Sequence, residues 1–281
     1  MRIILILLSS VALATTACGG DDAGAGDDER LEVAASFYPL AFAAARTAPE
    51  ADVHNVTPPG VEPHDLELAP RDVATIRSAD VVLYLGGGFQ PAIEDAAAGA
   101  EGTALDLLDE LGIVEGEDVH VWLDPGRYGD VVRRVAVELT GDERSARLTL
   151  HRLDELDGIY ELGLERCERR EIVVSHAAYG FLAEAYGLEE IPLARVPDAE
   201  ATPRDLERIA GLVRERGITT IFVEPLASSE EAETIARESG AEVAVLDPVE
   251  GLTEEQEEAG EDYFSVMLAN LEALRAALDC A

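Results

Sequence analysis

The sequence predicts an α/β protein of two lobes, each with a mostly parallel sheet flanked by helices, joined by one long rigid backbone helix. Short apolar runs alternate with helix-length segments in both halves of the 281-residue chain, and a longer helical segment separates the halves. Such alternation is typical of parallel sheets, whose strands are connected by crossover helices. The chain is 47% hydrophobic. It can therefore bury a core despite its high charge.

The N-terminal half carries four predicted strand-then-helix units. The predicted strands are 31–36, 52–56, 81–84 and 104–107, and the predicted helices between them are 37–48, 70–78 and 91–98. The third strand is a short apolar run that ends near three glycines, Gly86 to Gly88. This pattern favours a strand that is buried in a parallel sheet.

The segment 142–168 is predicted to be the linking helix. Its apolar residues recur at steps of three and four, with charged residues between them: Leu150, Leu153, Leu156, Tyr160 and Leu164. Two glycines, Gly158 and Gly163, should each weaken such a helix by about 1 kcal/mol relative to alanine.

The C-terminal half repeats the alternation. Its predicted strands are 171–175, 189–193, 219–223 and 242–246, and its predicted helices are 178–186, 204–216, 230–239 and 263–278. The sequence therefore divides into an N-terminal lobe (31–141), the linking helix (142–168) and a C-terminal lobe (169–281).

The charge of the chain excludes several classes of partner. The formal net charge is −37, and all 21 basic residues are arginine. So acidic a protein repels phosphate backbones and anionic lipid headgroups. We therefore expect no nucleic-acid partner and no polybasic membrane patch.

The first residues are typical of an export signal. Residues 1–17 hold Arg2 followed by an apolar stretch that is too short to span a bilayer permanently, which predicts a signal peptide. Small residues lead into Cys18 and resemble the lipobox of bacterial lipoproteins, in which this cysteine is lipidated; the alternative is an ordinary signal peptide with an incidental cysteine. Residues 18–30 predict a flexible tether. The protein should therefore lie outside the cytoplasm, in the periplasm or on the cell surface, held to the membrane by its lipid.

Two further cysteines, Cys167 and Cys280, remain in the exported chain. An even pair outside the cytosol favours a disulfide, which would fix the C-terminal helix to the body of the protein. Two buried free thiols are the alternative. The geometry of the two cysteines decides between a disulfide and free thiols.

Three of the five histidines occupy equivalent places. His64, His120 and His176 each follow a predicted strand, and Asp247 follows the last strand of the second lobe. Ligand sites in open α/β sheets form where the carboxyl ends of strands converge. A single loop histidine is more often a surface or hydrogen-bonding residue than a ligand, and Asp-Pro is more often a turn. Together, these four residues predict a four-coordinate metal site between the lobes.

The other two histidines are left out of the predicted site. His54 falls inside a predicted strand and His151 on a charged face of the linking helix. Both are interpreted as structural or solvent-facing residues.

The ordered motifs around these residues resemble the zinc- and manganese-binding lipoproteins of ABC importers, the ZnuA/TroA-like cluster of solute-binding proteins. The motifs are Ser36-Phe-Tyr-Pro-Leu40, Pro59-Gly-Val-Glu-Pro-His64-Asp, Val119-His-Val-Trp-Leu-Asp-Pro125, Ser175-His-Ala-Ala-Tyr-Gly180, Ile221-Phe-Val-Glu-Pro225 and Leu246-Asp-Pro-Val-Glu-Gly-Leu252. The resemblance implies a monomer of two lobes on a rigid helix, with a metal between the lobes and an ABC permease as partner. The histidine-rich loop of many zinc members is absent before the second motif, where residues 111–119 are short.

The ligand types favour Zn²⁺ over Mn²⁺. Imidazole suits zinc, copper and nickel, whereas manganese prefers more carboxylate oxygens. The resemblance adds that manganese members commonly place a glutamate where this chain has His176. Manganese is therefore the runner-up, and copper would also bind tightly. We expect the affinity to fall as the pH drops through about 6.5, because protonated imidazole cannot bind a metal.

The main alternative is a secreted zinc-dependent hydrolase, which needs three protein ligands, a water position and a general base. The sequence has neither a His-Glu-x-x-His nor a Gly-x-Ser-x-Gly motif. Glu62 and Glu67 flank His64 and could serve as a base, but surface acids or supports for the imidazole are the simpler interpretation. A structural or adhesive lipoprotein is a further alternative, although it has no need of four ligand groups. We therefore expect a metal carrier and not an enzyme.

Overall fold

The computed structural model describes residues 30–113, 118–194 and 202–281. The predicted signal peptide, the predicted lipidation site Cys18 and the predicted tether up to residue 29 lie outside these ranges. In the described ranges, no helix is both long enough and apolar enough to cross a membrane.

The N-terminal lobe contains a four-stranded parallel sheet in the order β2-β1-β3-β4. Its strands are β1 (Glu32–Ala35), β2 (Asp52–Asn55), β3 (Val81–Tyr84) and β4 (Thr103–Asp106), and its helices are α1 (Tyr38–Thr47), α2 (Pro70–Ser78), α3 (Pro91–Ala97) and α4 (Leu107–Leu111). Proline occupies the first turn of α1, α2 and α3. Proline is favoured there because its missing N–H would have no partner within the helix.

The C-terminal lobe repeats this topology with the order β6-β5-β7-β8, again all parallel. Its strands are β5 (Glu171–His176), β6 (Glu189–Ala194), β7 (Thr220–Val223) and β8 (Glu242–Val245), and its helices are α7 (Gly180–Tyr186), α8 (Pro203–Arg216), α9 (Glu230–Ser239), α10 (Glu254–Ala259) and α11 (Tyr263–Leu278). The predicted fold class is confirmed, and the predicted strands all occur within one or two residues of their predicted bounds.

Two helices connect the lobes: α5 (Pro125–Thr140) and α6 (Arg147–Leu164), with a short 3₁₀ turn at Glu143–Ala146 between them. The long helix is therefore shorter than the predicted range 142–168. It ends at Leu164 because the Arg170 guanidinium donates to the carbonyls of Leu164 and Glu165, which have no partner further along the helix. The exact division of the chain into lobes and linker stays a prediction.

Gly163 in α6 has a packing role. A Cβ at this position would lie 3.1 Å from the side chain of Leu271 in α11. The predicted cost of this glycine within the helix is therefore offset by a close approach of the two helices.

The largest hydrophobic core joins the two lobes. Phe37 and Trp122 come from the N-terminal lobe, and Val174, Tyr179 and Tyr263 come from the C-terminal lobe. The Tyr263 hydroxyl donates to the carbonyl of Trp122 at 2.6 Å. Smaller clusters cover the outer face of each sheet. The central strands β1, β3, β5 and β7 are thus buried on both faces, as is typical of parallel sheets.

Cys167 and Cys280 form a disulfide, which confirms the predicted pairing. The bond links Cys167, three residues after α6, to Cys280, two residues after α11. The two cysteines are 113 positions apart in the sequence. In the chain-entropy view, closing a loop of this length stabilises the folded state by about 4 to 5 kcal/mol. The disulfide therefore fixes the last helix to the linking helix.

Candidate metal centre

His64 lies in the loop between β2 and α2, and 15% of its side chain is exposed. Its backbone N–H donates to Oε1 of Glu62 at 3.0 Å. The imidazole packs edge-on against the Phe89 ring, with the two ring centroids 4.6 Å apart. The loop backbone and this aromatic contact together direct the ring toward the space between the lobes.

His120 directly precedes a 3₁₀ turn at Val121–Leu123 and is almost fully buried. Both its Nδ1 atom, at 2.6 Å, and its backbone nitrogen, at 3.0 Å, contact Oδ1 of Asp118. An ionised carboxylate can only accept, so Nδ1 carries the proton in this contact. In the neutral imidazole, Nε2 is then left with a free lone pair.

His176 is the last residue of β5 and is buried. Its Nδ1 atom lies 2.7 Å from Oε1 of Glu224, the residue that follows β7. The same reasoning places the Nδ1 proton toward Glu224 and leaves Nε2 of the neutral ring as the acceptor. Carboxylates behind metal-binding histidines commonly fix the ring and its tautomer in this way.

Glu250 completes the cluster from the loop between β8 and α10. Its Oε1 atom lies 3.4 Å from Nε2 of His64, 3.0 Å from Nε2 of His120 and 3.5 Å from Nε2 of His176. Its Oε2 atom is buried and has no hydrogen-bond partner within the described ranges. A buried acceptor without a partner is costly, so this oxygen is an unsatisfied position that a cation would relieve.

The cluster has the dimensions of a tetrahedral metal site. One ligand atom from each of the four residues lies within 4.8 Å of all the others. The distance between Nε2 of His120 and Nε2 of His176 is 3.4 Å, close to the three distances from Oε1 of Glu250. Ligands that are 2.0 to 2.1 Å from a tetrahedral zinc are separated by about 3.3 to 3.4 Å. The arrangement thus matches an N₃O zinc site.

The predicted carboxylate of the cluster must be corrected. Asp247 is not part of the four-residue cluster, where Glu250 takes its place. The Asp247 carboxylate instead accepts from the backbone N–H of Val249 at 2.8 Å and from Nε2 of Gln256 at 2.9 Å. One carboxylate oxygen of Asp247 is therefore used by its own loop and the other by the helix that follows, α10. The three predicted histidines, by contrast, are brought together as expected.

The backbone at Val249 explains this exchange. Val249 has φ 56°, in the left-handed region. A β-branched residue rarely adopts this conformation, because its side chain crowds the backbone there. The reversal turns the next residue, Glu250, toward the histidines. Glu250 belongs to the same quoted motif as Asp247, so the sequence contains the ligand but not the turn that selects it.

The sequence interpretation also missed two supporting carboxylates. Asp118 lies two residues before His120, and Glu224 follows a strand in the same way as the predicted ligands. The position of Glu224 at the carboxyl end of a strand was a signal that could have identified it.

The other candidate residues lie outside the cluster. His151 in α6 is exposed, as expected, and His54 in β2, which was interpreted as structural, is exposed as well. Glu67 is also exposed. Glu62 supports the backbone of His64 rather than its imidazole, which agrees with a supporting role and not with that of a base.

Protonation of the cluster depends on its carboxylates. Burial alone would lower the pKa of both buried imidazoles, but hydrogen bonds to Asp118 and Glu250 raise the pKa of His120 to about 9, and those to Glu224 and Glu250 raise the pKa of His176 to about 10. Burial would raise the pKa of Glu250, but the three imidazoles hold it well below its usual range. Without metal, the Glu250 carboxylate at pH 7 therefore faces two imidazolium groups, those of His120 and His176.

Two neighbouring acids have raised pKa values. Burial, reinforced by the nearby Glu250 carboxylate, raises the pKa of Glu62 to about 8. Burial also raises the pKa of Asp247 to about 6, despite its hydrogen bonds from Gln256 and Val249. At pH 7, Glu62 is thus mostly protonated, whereas Asp247 is mostly ionised.

Comparisons with known proteins agree with this geometry. The high-affinity zinc uptake system protein ZnuA of Bacillus subtilis (strain 168) is 28% identical to this chain, over 98% of the chain and 97% of that protein. The zinc-binding lipoprotein AdcA of Streptococcus pneumoniae (strain ATCC BAA-255 / R6) is 30% identical over 99% of the chain, which spans 61% of that longer protein.

A solved structure also shares the fold. The Zn(II)-bound ZnuA-like domain of Streptococcus pneumoniae AdcA superimposes with a TM-score of 0.78 at 31% identity, covering 89% of this chain and 99% of that domain. A family model described as zinc-uptake complex component A, periplasmic, matches residues 33–277. This chain belongs to that family, ZnuA.

Proposed function

We propose that this protein is an extracytoplasmic solute-binding lipoprotein that captures Zn²⁺ between its two lobes and delivers it to an ABC permease for import. The observation that carries the proposal is the cluster of His64, His120, His176 and Glu250, in which four of the six pairs of ligand atoms are 3.0 to 3.5 Å apart and all of them lie within 4.8 Å of one another. These distances fit a small ion with tetrahedral coordination. The zinc ion is the cargo of this site.

The donor set supports zinc over the runner-up, manganese. Three imidazoles and one carboxylate are ligands that zinc accepts readily, whereas Mn²⁺ favours oxygen-rich, higher-coordinate sites. Copper would bind such a set tightly as well, because it stands above zinc in the Irving–Williams order. The names of the related zinc uptake and zinc-binding proteins add support for zinc as the physiological cargo.

The same set argues for a carrier over a zinc hydrolase. A reactive zinc site keeps one position for water, whereas here a fourth protein group, Glu250, occupies the position that water would need. Glu62 lies two residues before His64, and its Oε1 atom accepts from the backbone N–H of His64. These contacts favour binding and release over chemistry.

The membrane attachment rests on the N-terminal sequence. Cys18 follows the small residues at the end of the predicted signal peptide, and the streptococcal relative is named a lipoprotein. We propose that Cys18 carries the lipid and that the monomeric folded part docks on the permease from outside the membrane. Replacing Cys18 with alanine should release the protein from the membrane fraction, whereas an unchanged membrane fraction would contradict the anchor.

The metal itself gives the decisive test. The chain from residue 19 onward, loaded with excess zinc and desalted, should retain one zinc per molecule by mass spectrometry, and the His176→Ala variant should retain none. Wild-type protein that keeps no zinc would refute the proposal. Turnover of ester or peptide substrates by the zinc-loaded wild type would instead support the hydrolase.

A further inference from the structure

Glu250 depends on its backbone for its position. Its Oε1 atom contacts the three imidazoles, and Oε2 has no hydrogen-bond partner among residues 30–113, 118–194 and 202–281. When a metal takes the three Nε2 lone pairs, contacts within the described structure no longer hold this carboxylate. Whatever fixes the loop from Leu246 to Glu250 therefore fixes the fourth ligand.

This loop is held at every residue before Glu250. The Tyr179 hydroxyl donates to the carbonyl of Leu246 at 2.7 Å, and the Trp122 indole N–H donates to the carbonyl of Pro248 at 2.7 Å. The Asn270 side chain accepts from the backbone N–H of Asp247 at 2.8 Å and donates to its carbonyl at 2.7 Å. All three supporting side chains are buried.

The Asp247 side chain closes this frame from inside the loop. Its Oδ1 atom accepts from the N–H of Val249, the residue with φ 56°. This bond stabilises a backbone conformation that a β-branched residue rarely adopts. Its Oδ2 atom accepts from Nε2 of Gln256, whose Oε1 atom is already committed to the backbone N–H of Thr253.

We infer that Asp247 is a positioning residue, which holds the left-handed turn at Val249 and thereby directs Glu250 at the metal. The inference rests on the proposed function, because it names a residue that sets the affinity of the same site. It differs from the sequence-based prediction, in which Asp247 was itself a ligand. Asp247 should therefore affect the zinc affinity only through the position of Glu250.

A double-mutant cycle separates these possibilities, because it measures whether two residues act through each other. Zinc affinity would be measured by competition with a chromophoric chelator for wild type, Asp247→Ala, Glu250→Ala and the double variant. Asp247→Ala should weaken zinc binding about 10- to 100-fold in the wild-type background. The same substitution should weaken zinc binding less than about twofold in the Glu250→Ala background, where there is no carboxylate left to position.

Two variants guard against a general loss of structure. Asp80→Ala removes a carboxylate that accepts from the backbone N–H of Glu32, at the amino end of β1 in the N-terminal sheet. This variant should leave the zinc affinity unchanged. Asp247→Asn keeps an acceptor for the Val249 N–H but faces the Gln256 amide with a donor. It should lose less affinity than Asp247→Ala, and an equal loss would overturn the role of the Val249 bond.

Cobalt provides a readout of geometry. Substituted Co²⁺ should give the intense visible bands of a four-coordinate site in wild type and weaker bands of higher coordination in Asp247→Ala, as water replaces a displaced Glu250. The inference would be overturned if Asp247→Ala lowered the zinc affinity equally in both backgrounds, or if it did not lower it in the wild-type background. In either case, zinc binding by the wild type would still support the proposed function. A wild type without zinc affinity would overturn both.

Discussion

His64 and His176 present the same atom to the same carboxylate, yet the protein supports them in different ways. Their Nε2 atoms lie 3.4 and 3.5 Å from Oε1 of Glu250. The His176 side chain is 1% exposed and its Nδ1 contacts Glu224, whereas the His64 side chain is 15% exposed. Within the described part of the chain, Nδ1 of His64 has no carboxylate behind it. One ligand is thus fixed by a buried ion pair and the other by its loop.

This difference indicates on which side of the site a metal ion can enter and leave. A buried ligand with a charged partner cannot leave without exposing that partner, and breaking such a pair is strongly destabilising. A partly exposed ligand on a loop can be replaced by water. We therefore expect a metal to arrive and leave on the His64 side, and the following changes test that asymmetry.

Loss of the fixed ligand should have the largest effect. His176→Ala should weaken zinc binding by about 1,000-fold or more, beyond the 10- to 100-fold typical of the groups behind a ligand. Competition with a chromophoric chelator measures this change. His151→Ala, which alters an exposed histidine on α6, is the matched control and should bind zinc like wild type. An equal effect of the two variants would exclude His176 from the site.

Loss of the loop ligand should cost less. His64→Ala should weaken binding about 100-fold, because water can enter the vacated position on the exposed side and keep the zinc four-coordinate. The release rate, measured by stopped flow with an excess of chelator, should rise correspondingly. A loss as large as that of His176→Ala would remove the proposed asymmetry.

Acidification should weaken zinc binding by protonating the two buried histidines, His120 and His176. The pKa values of His120 and His176, raised to about 9 and about 10, keep both imidazoles protonated at pH 7 in the metal-free protein. Zinc must displace both protons, so affinity should fall about 100-fold for each pH unit below about 9. Calorimetry at pH 7 in buffers of different ionisation enthalpy should detect about two released protons. No dependence on the buffer would contradict these protonation states.

The same shifts have a consequence for stability. Because both folded pKa values are raised above the ordinary value of about 6.5, protonation stabilises the metal-free fold fully below that pH. This contribution is lost as the pH rises through about 9 to 10. Lowering the pH from about 9 toward 6.5 should therefore weaken metal binding while it stabilises the metal-free cluster. The expectation from sequence alone, a single transition near pH 6.5, omitted the surrounding carboxylates.

The carboxylate behind His176 should have a smaller effect than the ligand. Glu224→Ala should weaken zinc binding about 10- to 100-fold, because it frees the ring and its tautomer. Glu224→Gln keeps an acceptor for the Nδ1 proton and should recover most of the affinity. Failure of glutamine to improve on alanine would show that charge, and not orientation, is the contribution of Glu224.

Salt should have the smallest effect. Asp65 and Glu67 are exposed beside His64, and the chain carries a net charge of −37. Their field should attract a divalent cation, so the association rate should fall about three- to tenfold between low salt and about 0.5 M salt. A rate that does not depend on salt would show that the acidic surface serves solubility alone.

The sequence was sufficient for the fold and for the three histidines of the cluster because both follow from local patterns. Alternation predicted the parallel sheets, and the ends of the strands located His64, His120 and His176. Asp247 and Glu250 lie three positions apart in one loop, and the left-handed backbone at Val249 decides which of them faces the histidines. Valine rarely adopts a left-handed backbone conformation, so sequence alone cannot predict this turn. The end of α6 likewise involves a side chain beyond the helix, that of Arg170, which donates to the carbonyl of Leu164.

X-ray absorption at the zinc edge would test the central claim most directly. The protein loaded with one zinc should show four light-atom ligands at about 2.0 to 2.1 Å, with the multiple scattering of three imidazoles. Glu250→Ala should retain the three imidazoles and exchange the carboxylate oxygen for water. A wild-type spectrum with fewer than three imidazoles, or one that Glu250→Ala leaves unchanged together with an unchanged affinity, would contradict the site of His64, His120, His176 and Glu250.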